Sequence, residues 1–438
     1  MTKEEFLITF FDALNEKINY FVFGSYKSLP HDTGSSDIDI VIAPEQEGDF
    51  LSVFKSVMVG STAFVASHFG NHMFRILNGD PQQPWGVQID IFCNAFCHHG
   101  VVYFPVSLVK NSVIDYNGIK VLDENRGYYV DFLKEVIHGV EVKQKYIDAF
   151  ANLIESDRAK YLSELESLYG LSFKNMVETG LDRRKFQVKA MREEMIKSIH
   201  KGAFFKDIKS IIQRLSRFFK PKPGYVVAIL GTDGSGKSTI INAVEPWLNE
   251  GFHNGVVYRH LRPKLLKDLG VISNKRSDNK EGEVVSNPHN GKTSGLLVSL
   301  VKWFYYLTDY TIGYLVKVWI KISVKSEVFL FDRYYYDYYI DQKRFGISLP
   351  MWLIRIGDFF VPNPDLIICL GGDAEKIYNR KPETSIEEVK RQTEAIINLA
   401  NRNKAAVYID TTVPLDNTLT EVRASLIKML QIRFSIDK

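Results

Sequence analysis

The sequence feature that most constrains the fold is residues 226–239, VVAILGTDGSGKST. A short apolar run leads into glycines and ends in a lysine and two hydroxyl residues, which fits the pattern G-x-x-x-x-G-K-[ST]. The apolar run is typical of a buried parallel strand, and the residues after the last glycine favour a helix. The pattern therefore predicts a strand, a phosphate-binding loop and a helix in that order, rather than a glycine-rich turn that matches by chance.

The chemistry of phosphate binding explains these residue types. Glycines let backbone N–H groups fold into a concave nest at a helix N-terminus, where they meet several phosphate oxygens at once. Lys237 would reach the outer phosphates, and the Ser238 hydroxyl would coordinate the Mg²⁺ that accompanies a nucleoside triphosphate. The predicted nucleotide-binding residues are Gly231, Asp233, Gly234, Ser235, Gly236, Lys237, Ser238 and Thr239.

Composition limits the function only loosely. The chain of 438 residues is long enough for about three domains, and its formal net charge of +3 is too small to indicate nucleic acid as a partner. The three cysteines, Cys93, Cys97 and Cys369, are too few for a disulfide framework, so we expect a reducing, cytoplasmic location. The first residues, MTKEEFLITFFDAL, are acidic and amphipathic, which does not fit a signal peptide.

The N-terminal part begins with a helix and a strand that ends in a turn of small residues. Apolar residues at helical spacing predict a helix at 4–17. The strand at 20–23 runs into Gly24 and Ser25. Two more strands are predicted near 63–67 and 72–77.

Acidic residues alternate with apolar ones in two further strands. In the strand at 36–42, SDIDIVI, Asp37 and Asp39 fall on one face, where two carboxylates repel each other unless a cation lies between them. The strand at 87–92, VQIDIF, adds Asp90. The carboxylates predict a site for a divalent metal.

A Gly-Ser turn, then D-x-D, then a lone aspartate on a later strand resembles the minimal nucleotidyltransferase domain over about residues 1–105. In that family the turn holds a triphosphate, and three carboxylates hold two Mg²⁺ ions for in-line attack on the α-phosphate. The resemblance implies a second nucleoside triphosphate site, with Gly24 and Ser25 on phosphate, Asp37 and Asp39 on metal, and Asp90 as the metal-binding base. A plain α/β domain with exposed acidic strands and a decayed, inactive transferase are the alternatives.

A zinc site is the alternative use of the cysteines that follow. Cys93, Cys97, His98 and His99 have the spacing C-x₃-C-H-H with no second ligand pair, which fits a closed tetrahedral site poorly. We therefore expect strand-end and turn residues beside the acidic site.

Residues 126–222 are predicted to form a helical spacer. Few glycines and no strand-like alternation occur there. Predicted helices lie at 128–137, 142–154, 158–168 and 183–199. The segment 204–219 is a basic amphipathic helix that either lies on anionic lipid or, as we expect, packs on its neighbours with a solvated basic face. Residues 221–224, PKPG, break the helix and mark the boundary of the last domain.

The C-terminal half continues the α/β pattern after the phosphate loop. A helix at 237–248 leads to a strand near 256–258 and to a polar loop at 273–295. The apolar segment 296–322 is interrupted by charges, so we expect a helix buried in the core rather than a membrane span. Further strands are predicted at 327–331, 365–370 and 407–410, with a last helix at 418–433.

Charged residues follow two of these strands. Asp332 and Arg333 come at the end of the strand at 327–331, where active sites of doubly wound folds lie. The acid would join the Mg²⁺ shell and the arginine would hold an anionic group of the acceptor, unless the two form a structural salt bridge. Residues 379–382, NRKP, are predicted to start a helix that closes as a lid, with Arg380 on the transferring phosphoryl group.

The loop GTDGSGKST, the strand-end FDRY, the PNPDLIICL strand and the following Arg380 resemble the thymidylate kinase branch of P-loop nucleoside monophosphate kinases over roughly residues 224–438. The resemblance implies ATP and Mg²⁺ as the donor, with Lys237 and Arg380 stabilising the moving phosphoryl group and Arg333 gripping the acceptor. Thymidylate kinases tend to form dimers, so the resemblance allows a homodimer, and the sequence leaves the oligomeric state open.

The acceptor half departs from that family. Residues 259–264, RHLRPK, replace an arginine, glutamate, proline and paired glycines, and Asp309 is followed by Tyr310 instead of arginine. Beyond the Asp-Arg-Tyr, Asp337 stands where the family has serine. We therefore expect an acceptor other than dTMP. Proteins with a similar fusion occur among bacterial surface-polysaccharide genes, which suggests a sugar or sugar phosphate by analogy of fold.

Together these patterns predict an α/β protein. We expect a nucleotidyltransferase-like mixed sheet in 1–125, a helical spacer in 126–222 and a parallel-sheet P-loop kinase, with helices on both faces, in 223–438. The predicted function is ATP- and Mg²⁺-dependent phosphoryl transfer to an anionic small acceptor. The alternatives are an ATP-binding switch or scaffold, and a nucleotidyltransferase that modifies a macromolecule or a sugar phosphate while the P-loop half binds nucleotide.

Overall fold

A computed structural model describes residues 1–34, 36–69, 72–93, 95–98, 101–199, 222–267 and 294–434. Its strands are β1 (Tyr20–Phe23), β2 (Ile38–Ile42), β3 (Ala63–Phe69), β4 (Met73–Asn78), β5 (Gly86–Cys93), β6 (Ala95–His98), β7 (Val101–Pro105), β8 (Val113–Tyr116), β9 (Ile119–Leu122), β10 (Tyr225–Gly231), β11 (Val256–His260), β12 (Val328–Asp332), β13 (Leu366–Gly371) and β14 (Ala406–Asp410).

The helices in the first half are α1 (Lys3–Lys17), α2 (Glu47–Val59), α3 (Glu124–His138), α4 (Gln144–Ser156), α5 (Arg158–Tyr169), α6 (Leu171–Leu181) and α7 (Val188–Ile199). Those in the second half are α8 (Lys237–Phe252), α9 (Leu296–Thr308), α10 (Asp337–Ile340), α11 (Met351–Gly357), α12 (Ala374–Arg380), α13 (Ile386–Arg402) and α14 (Leu415–Arg433). Helix α9 continues into π-helical turns at Asp309–Gly313, Leu315–Trp319 and Lys321–Lys325.

The chain divides into two compact units. The first comprises the described residues of Met1–Thr62, His68–Arg75 and Val87–Phe219, and the second those of Ala63–Ser67, Ile76–Gly86 and Lys220–Lys438. The predicted amphipathic helix at 204–219 lies outside the described residues, as does the predicted loop at 273–295 except for its last two residues.

The first sheet is mixed, in the strand order β3-β4-β5-β2-β1-β9-β8. Strand β2 runs antiparallel to β1 and parallel to β5, and Asp39 pairs in register with Asp90. The two strands therefore bring Asp39 and Asp90 to the same level of the sheet, as the alternation of acidic and apolar residues in each strand predicts.

The helices predicted as a spacer share a hydrophobic core with this sheet. Phe21 and Phe23 of β1 pack in one cluster with α3, α4, α5, α6 and α7, and Phe132 stacks on Phe150 with ring centroids 3.9 Å apart. Aromatic side chains of this kind bury a large area each. Helix α6 is an element that the sequence analysis did not predict.

The second sheet is parallel, in the strand order β11-β12-β10-β13-β14. Alternate residues of the central strand β10 enter two separate cores, because Tyr225, Val227 and Ile229 pack with α8 and α14. Val226 and Ala228 pack instead with α9, α11 and α13. Helices thus cover both faces, and the predicted fold class is confirmed: a parallel sheet with helices on both faces, and a separate mixed sheet.

Helix α9 differs from its prediction as a buried core helix. Trp303 and Tyr310 face the core, but the opposite face is apolar and exposed, with Leu297 79% and Val301 70% accessible. The exposed apolar residues of α9 and its π-helical turns are Leu296, Leu297, Val298, Val301, Phe304, Ile312, Leu315, Val316 and Ile320. The prediction was wrong because apolar residues occur on every side of this segment, so its pattern does not separate a buried face from an exposed one. Among the described helices, none has the length and apolarity that crossing a membrane requires.

Candidate functional site

The predicted phosphate loop lies at the carboxyl end of the central strand of the parallel sheet. Strand β10 is buried along its whole length, and α8 begins at Lys237 directly after the loop. Gly234 and Gly236 each have φ of +82°, a left-handed conformation that other residues rarely adopt. At Gly231 an added Cβ would lie 2.3 Å from Ser235 Oγ. The glycines of the pattern therefore stand where the backbone requires them.

Two carbonyl groups of the loop backbone hold the Lys237 side chain inside the loop. Its Nζ donates hydrogen bonds to the carbonyl oxygens of Gly231 at 3.0 Å and Thr232 at 2.8 Å, and lies 3.9 Å from Asp233 Oδ1. Burial, together with the nearby Arg333 guanidinium, lowers the pKa of Lys237 to about 7. A phosphate in the loop would offer this ammonium a stronger acceptor than a carbonyl oxygen.

Asp332 ends β12, the strand next to β10, and has one carboxylate oxygen without a partner. Its Oδ2 accepts a hydrogen bond from the Tyr258 hydroxyl at 3.2 Å, whereas its buried Oδ1 has no hydrogen-bond partner. An unsatisfied buried carboxylate oxygen is unfavourable by itself and suits the hydration shell of a cation. Ser238 is exposed in the first turn of α8. These two oxygen ligands therefore fit the predicted Mg²⁺.

Arg333 does not extend toward solvent, because carboxylates hold its guanidinium. Nη2 donates to Asp233 Oδ1 at 2.7 Å, and Nη1 donates to both oxygens of Asp337 at 3.0 and 3.1 Å. Arg344 forms a second ion pair with Asp233. Burial opposes the charge on Arg333, but Asp337 and Asp233 raise its pKa above the ordinary value. Burial also raises the pKa of Asp337.

Most of this network was not predicted from the sequence. Asp337 was recognised as a departure from the family but not as the partner of Arg333, although the two are four residues apart at helical spacing. Arg344 and Asp341, whose Nε and Oδ2 atoms lie 3.6 Å apart, carried no signal. Their place beside the phosphate loop depends on tertiary packing.

The segment after β11 is fixed by a second buried ion pair. Arg262 pairs with Asp309, which is completely inaccessible, and Asp309 Oδ1 accepts a hydrogen bond from the Leu265 N–H at 2.7 Å. Leu261 and Lys264 have φ of +68° and +59°. Non-glycine residues in this conformation are strained, and such strain clusters at functional sites.

Arg380 lies at the end of a helix, not at the start of one as predicted. Helix α12 begins after Asp373, whose side chain caps it, and ends at Arg380, while the next helix begins after Ser385. Pro382 explains the error, because the residue before a proline disfavours helical geometry. Helix α12 still reaches the phosphate loop: a Cβ at Gly234 would lie 2.7 Å from the Ile377 carbonyl oxygen. Arg380 itself is exposed.

Asp37, Asp39 and Asp90 come together in the first unit. One carboxylate oxygen from each lies within 4.8 Å of the others. Gly24 has φ of +89°, and a Cβ added at this residue would lie 3.9 Å from Asp39 Oδ2. Ser25 follows in the exposed turn. The predicted metal-binding set is therefore close enough to share divalent ions.

The electrostatics of this acidic cluster favour an added cation. Burial and the charge of Asp37 raise the pKa of Asp39 to about 8 and that of Asp90 to about 7. The raised pKa values of Asp39 and Asp90 mean that burial and the charge of Asp37 disfavour their ionised forms. A bound divalent cation would favour the ionised carboxylates and displace their protons to water.

Two buried side chains that the sequence analysis missed support Asp90. Gln88 Nε2 donates to Asp90 Oδ1 at 3.2 Å, and Arg75 Nε donates to Gln88 Oε1 at 3.2 Å. Gln88 lies two residues before Asp90, so period-2 alternation places it on the same face. That spacing was a signal that the sequence contained.

The structure gives no support to a zinc site among its described residues. Cys93 is partly buried and Cys97 is exposed. The acidic cluster is the metal-ligand group found in the described part of the chain. His99 lies outside that part.

Comparison with known proteins gives only weak similarity. No protein-family model matches the sequence, and no curated protein matches it. A thymidylate kinase from Ehrlichia chaffeensis is 20% identical over 48% of this chain and 100% of its own, with a TM-score of 0.32. A thymidylate kinase from Candida albicans is 16% identical over 48% of this chain and 94% of its own, with a TM-score of 0.34. Similarities of this size assign no family.

Proposed function

We propose that the parallel-sheet half is an ATP- and Mg²⁺-dependent kinase that transfers a phosphoryl group to a small acceptor. The observation that carries this proposal is the position of Lys237 in a glycine-shaped loop after the central strand, beside Asp332 at the end of the neighbouring strand. Crevices at the carboxyl ends of such strands are where ligands bind in this kind of fold. The homodimer that the family resemblance allows stays a prediction.

Each predicted residue has a chemical role in this proposal. The loop N–H groups and Lys237 bind the outer phosphates, and Ser238 and Asp332 would hold Mg²⁺, which neutralises charge on the phosphates. Arg380, at the end of α12 beside the loop, reaches the γ-phosphoryl group from the solvent side. Phosphoryl transfer needs mainly positioning and charge stabilisation, which this set of residues supplies.

Arg380→Ala tests the proposed role of that arginine in turnover. We expect kcat for Mg-ATP turnover to fall by about 100-fold, because a cation on the transferring group acts mainly in the transition state. The equilibrium Kd for ATP is expected to change by less than about threefold, because the loop and Lys237 provide the binding. ADP release and ATP titration calorimetry measure the two quantities.

Arg402→Ala is the control, since Arg402 is an exposed arginine at the end of α13. A variant at Arg380 that weakens ATP binding while kcat stays unchanged would contradict the proposed role. An ATP-binding switch, the alternative from a different class, predicts ATP binding in the wild type with no turnover for Arg380→Ala to remove.

A second function, nucleotidyl transfer, is favoured by one observation in the first unit. Asp37, Asp39 and Asp90 place ligand oxygens within 4.8 Å of one another, next to the turn at Gly24. Paired divalent ions held by such a set can activate an attacking hydroxyl and stabilise the leaving pyrophosphate. We propose that this cluster binds Mg²⁺ or Mn²⁺ and a nucleoside triphosphate.

Asp37→Asn with Asp39→Asn tests the metal site through stability. Mn²⁺ at 100 times its Kd is expected to stabilise the wild type by about 2.7 kcal/mol and the double variant hardly at all. Without metal the double variant is expected to be the more stable protein, increasingly so from pH 6 to pH 8. The pKa values of Asp39 and Asp90 are higher in the folded protein than in the unfolded chain. The free energy of unfolding of the wild type therefore falls as the pH rises toward these folded-state values.

Thermal unfolding with and without Mn²⁺ at the two pH values measures both effects. Asp115→Asn with Asp123→Asn removes the same charge from outside the cluster. Equal Mn²⁺ shifts in the wild type and in the Asp37→Asn, Asp39→Asn variant would contradict metal binding by the cluster.

A further inference from the structure

The charges beside the phosphate loop carry an inference about the acceptor. Asp233, Asp337 and Asp341 face two guanidinium groups, those of Arg333 and Arg344. The carboxylates outnumber the guanidiniums in this group. Lys237 does not change the balance for an acceptor, because the phosphates of ATP would take its charge.

Arg333 in particular has little capacity left for an anionic ligand. Both of its terminal nitrogens donate to carboxylates, and its side chain is only 4% accessible. A phosphate that approached Arg333 would have to displace Asp233 or Asp337, or lie beside their negative charges. Placing like charges together disfavours binding.

Arg262, which follows β11, is also paired. Its guanidinium contacts the inaccessible Asp309 and lies 4.8 Å from the centre of the Tyr306 ring. This pair anchors the segment after β11, because Asp309 also accepts the Leu265 N–H. Its charge is thus used to hold the backbone.

Resting on the kinase function proposed above, we propose that the acceptor is an uncharged polyol or sugar, and that one of its hydroxyl groups is phosphorylated. Carboxylates that outnumber cations attract hydroxyl donors, whereas they repel phosphomonoesters. Asp337 is the decisive residue, because it neutralises Arg333, which the sequence analysis assigned to an anionic acceptor.

The reaction of a hydroxyl acceptor balances with the groups present. The acceptor oxygen forms a bond to the γ-phosphorus while the bond from that phosphorus to the β–γ bridging oxygen breaks, and ADP keeps the electron pair. The hydroxyl proton passes directly to water, because Asp233 is a poor base: burial opposes the shift, but Arg333, Lys237 and Arg344 lower its pKa, and both of its oxygens accept hydrogen bonds from guanidinium groups. A hydroxyl that has begun to bond to phosphorus is strongly acidic, so water suffices as the base.

Matched acceptor pairs provide the first test. The purified 438-residue chain with Mg-ATP is tested with glycerol, ribose, glucose and mannose, and with the monophosphate of each and dTMP. ADP release gives the rate, and phosphorus NMR identifies the product. We expect kcat/KM for at least one neutral compound to exceed that of its monophosphate at least roughly tenfold. Stimulation only by the phosphorylated members, or by no neutral compound, overturns the inference.

Asp337→Ser provides the second test, because it removes one carboxylate from Arg333 without removing the arginine. We expect KM for the phosphorylated member of a pair to fall by roughly tenfold, while kcat/KM for the neutral member falls. Glu327→Gln, which breaks the Lys321–Glu327 pair at the opposite end of β12, should change neither value. If Asp337→Ser does not fold, Asp337→Asn, which keeps the side-chain volume, replaces it. Unchanged discrimination in a folded Asp337 variant overturns the inference.

Failure of this inference differs from failure of the kinase proposal. ATP binding with turnover stimulated only by phosphomonoesters leaves the kinase standing and removes the neutral acceptor. Absence of ATP binding in calorimetry removes both.

Discussion

Lys237→Met is expected to reduce Mg-ATP turnover by at least about a thousandfold. The ammonium is buried, and two loop carbonyl oxygens orient it toward the space that the loop encloses. Methionine keeps the length and packing of the side chain but provides neither charge nor hydrogen bonds. ADP release in the presence of an accepted substrate, and ATP titration calorimetry, measure the effect.

The lowered pKa of Lys237 gives this prediction a second measurement. In the free protein the pKa of about 7 leaves the amine mostly neutral at pH 8, and phosphate binding favours its charged form, so ATP binding at pH 8 is expected to take up protons. Calorimetry in buffers of different ionisation enthalpy detects the uptake, which Lys237→Met should lose. Lys390→Met, at an exposed position of α13, is the control. Undiminished turnover in Lys237→Met would show that the loop is not the site of ATP use.

Arg333→Met is expected to lower the free energy of unfolding by about 3–5 kcal/mol. Removing the guanidinium leaves Asp337 buried and without its cation, and it leaves Asp233 with one ion-pair partner fewer. Methionine and arginine have similar strain at the positive φ of this position, so the change in backbone energy is small. Equilibrium denaturation by urea measures the loss.

The double variant Arg333→Met with Asp337→Asn isolates the cause. It removes both charges of the buried pair, so it should be more stable than Arg333→Met alone. Arg391→Met, which breaks the more exposed pair with Glu388, is expected to cost about 1 kcal/mol or less. A double variant as unstable as Arg333→Met would mean that lost packing, not an uncompensated carboxylate, explains the effect.

Features governed by local backbone geometry could be predicted from the sequence. The phosphate loop was predictable because its glycines are required by positive φ and close contacts. The acidic cluster was predictable because alternation in two strands fixes the face of each aspartate. The parallel sheet followed from apolar strands separated by helices, each strand ending in polar residues.

Some elements were missed although a local signal was present. Strands β8 and β9 are joined at Asn117 and Gly118, which have φ of +53° and +77°. Asn-Gly is the dipeptide that tight hairpins favour. Asp373 similarly marked the start of α12. These elements are only four to seven residues long, so their periodicity is too short to predict them.

The charge balance beside the loop could not be predicted, because it depends on which side chains meet in space. Asp233 and Arg344 are separated by 111 residues in the chain. The exposed apolar face of α9 was unpredictable for a related reason, since burial depends on what lies opposite each face. Residue types predict the chemistry, and tertiary packing decides which charged side chains face one another.

The left-handed backbone of Arg333 narrows the evolutionary routes open to this site. Glycine would relieve about 1 kcal/mol of strain at that position, but it would leave Asp233 and Asp337 without the cation between them. Losing either acid first would leave Arg333 with fewer carboxylate partners, and under the proposal of a neutral acceptor it would favour anionic ligands. Glycine at this position is therefore expected only together with changes at Asp233 and Asp337.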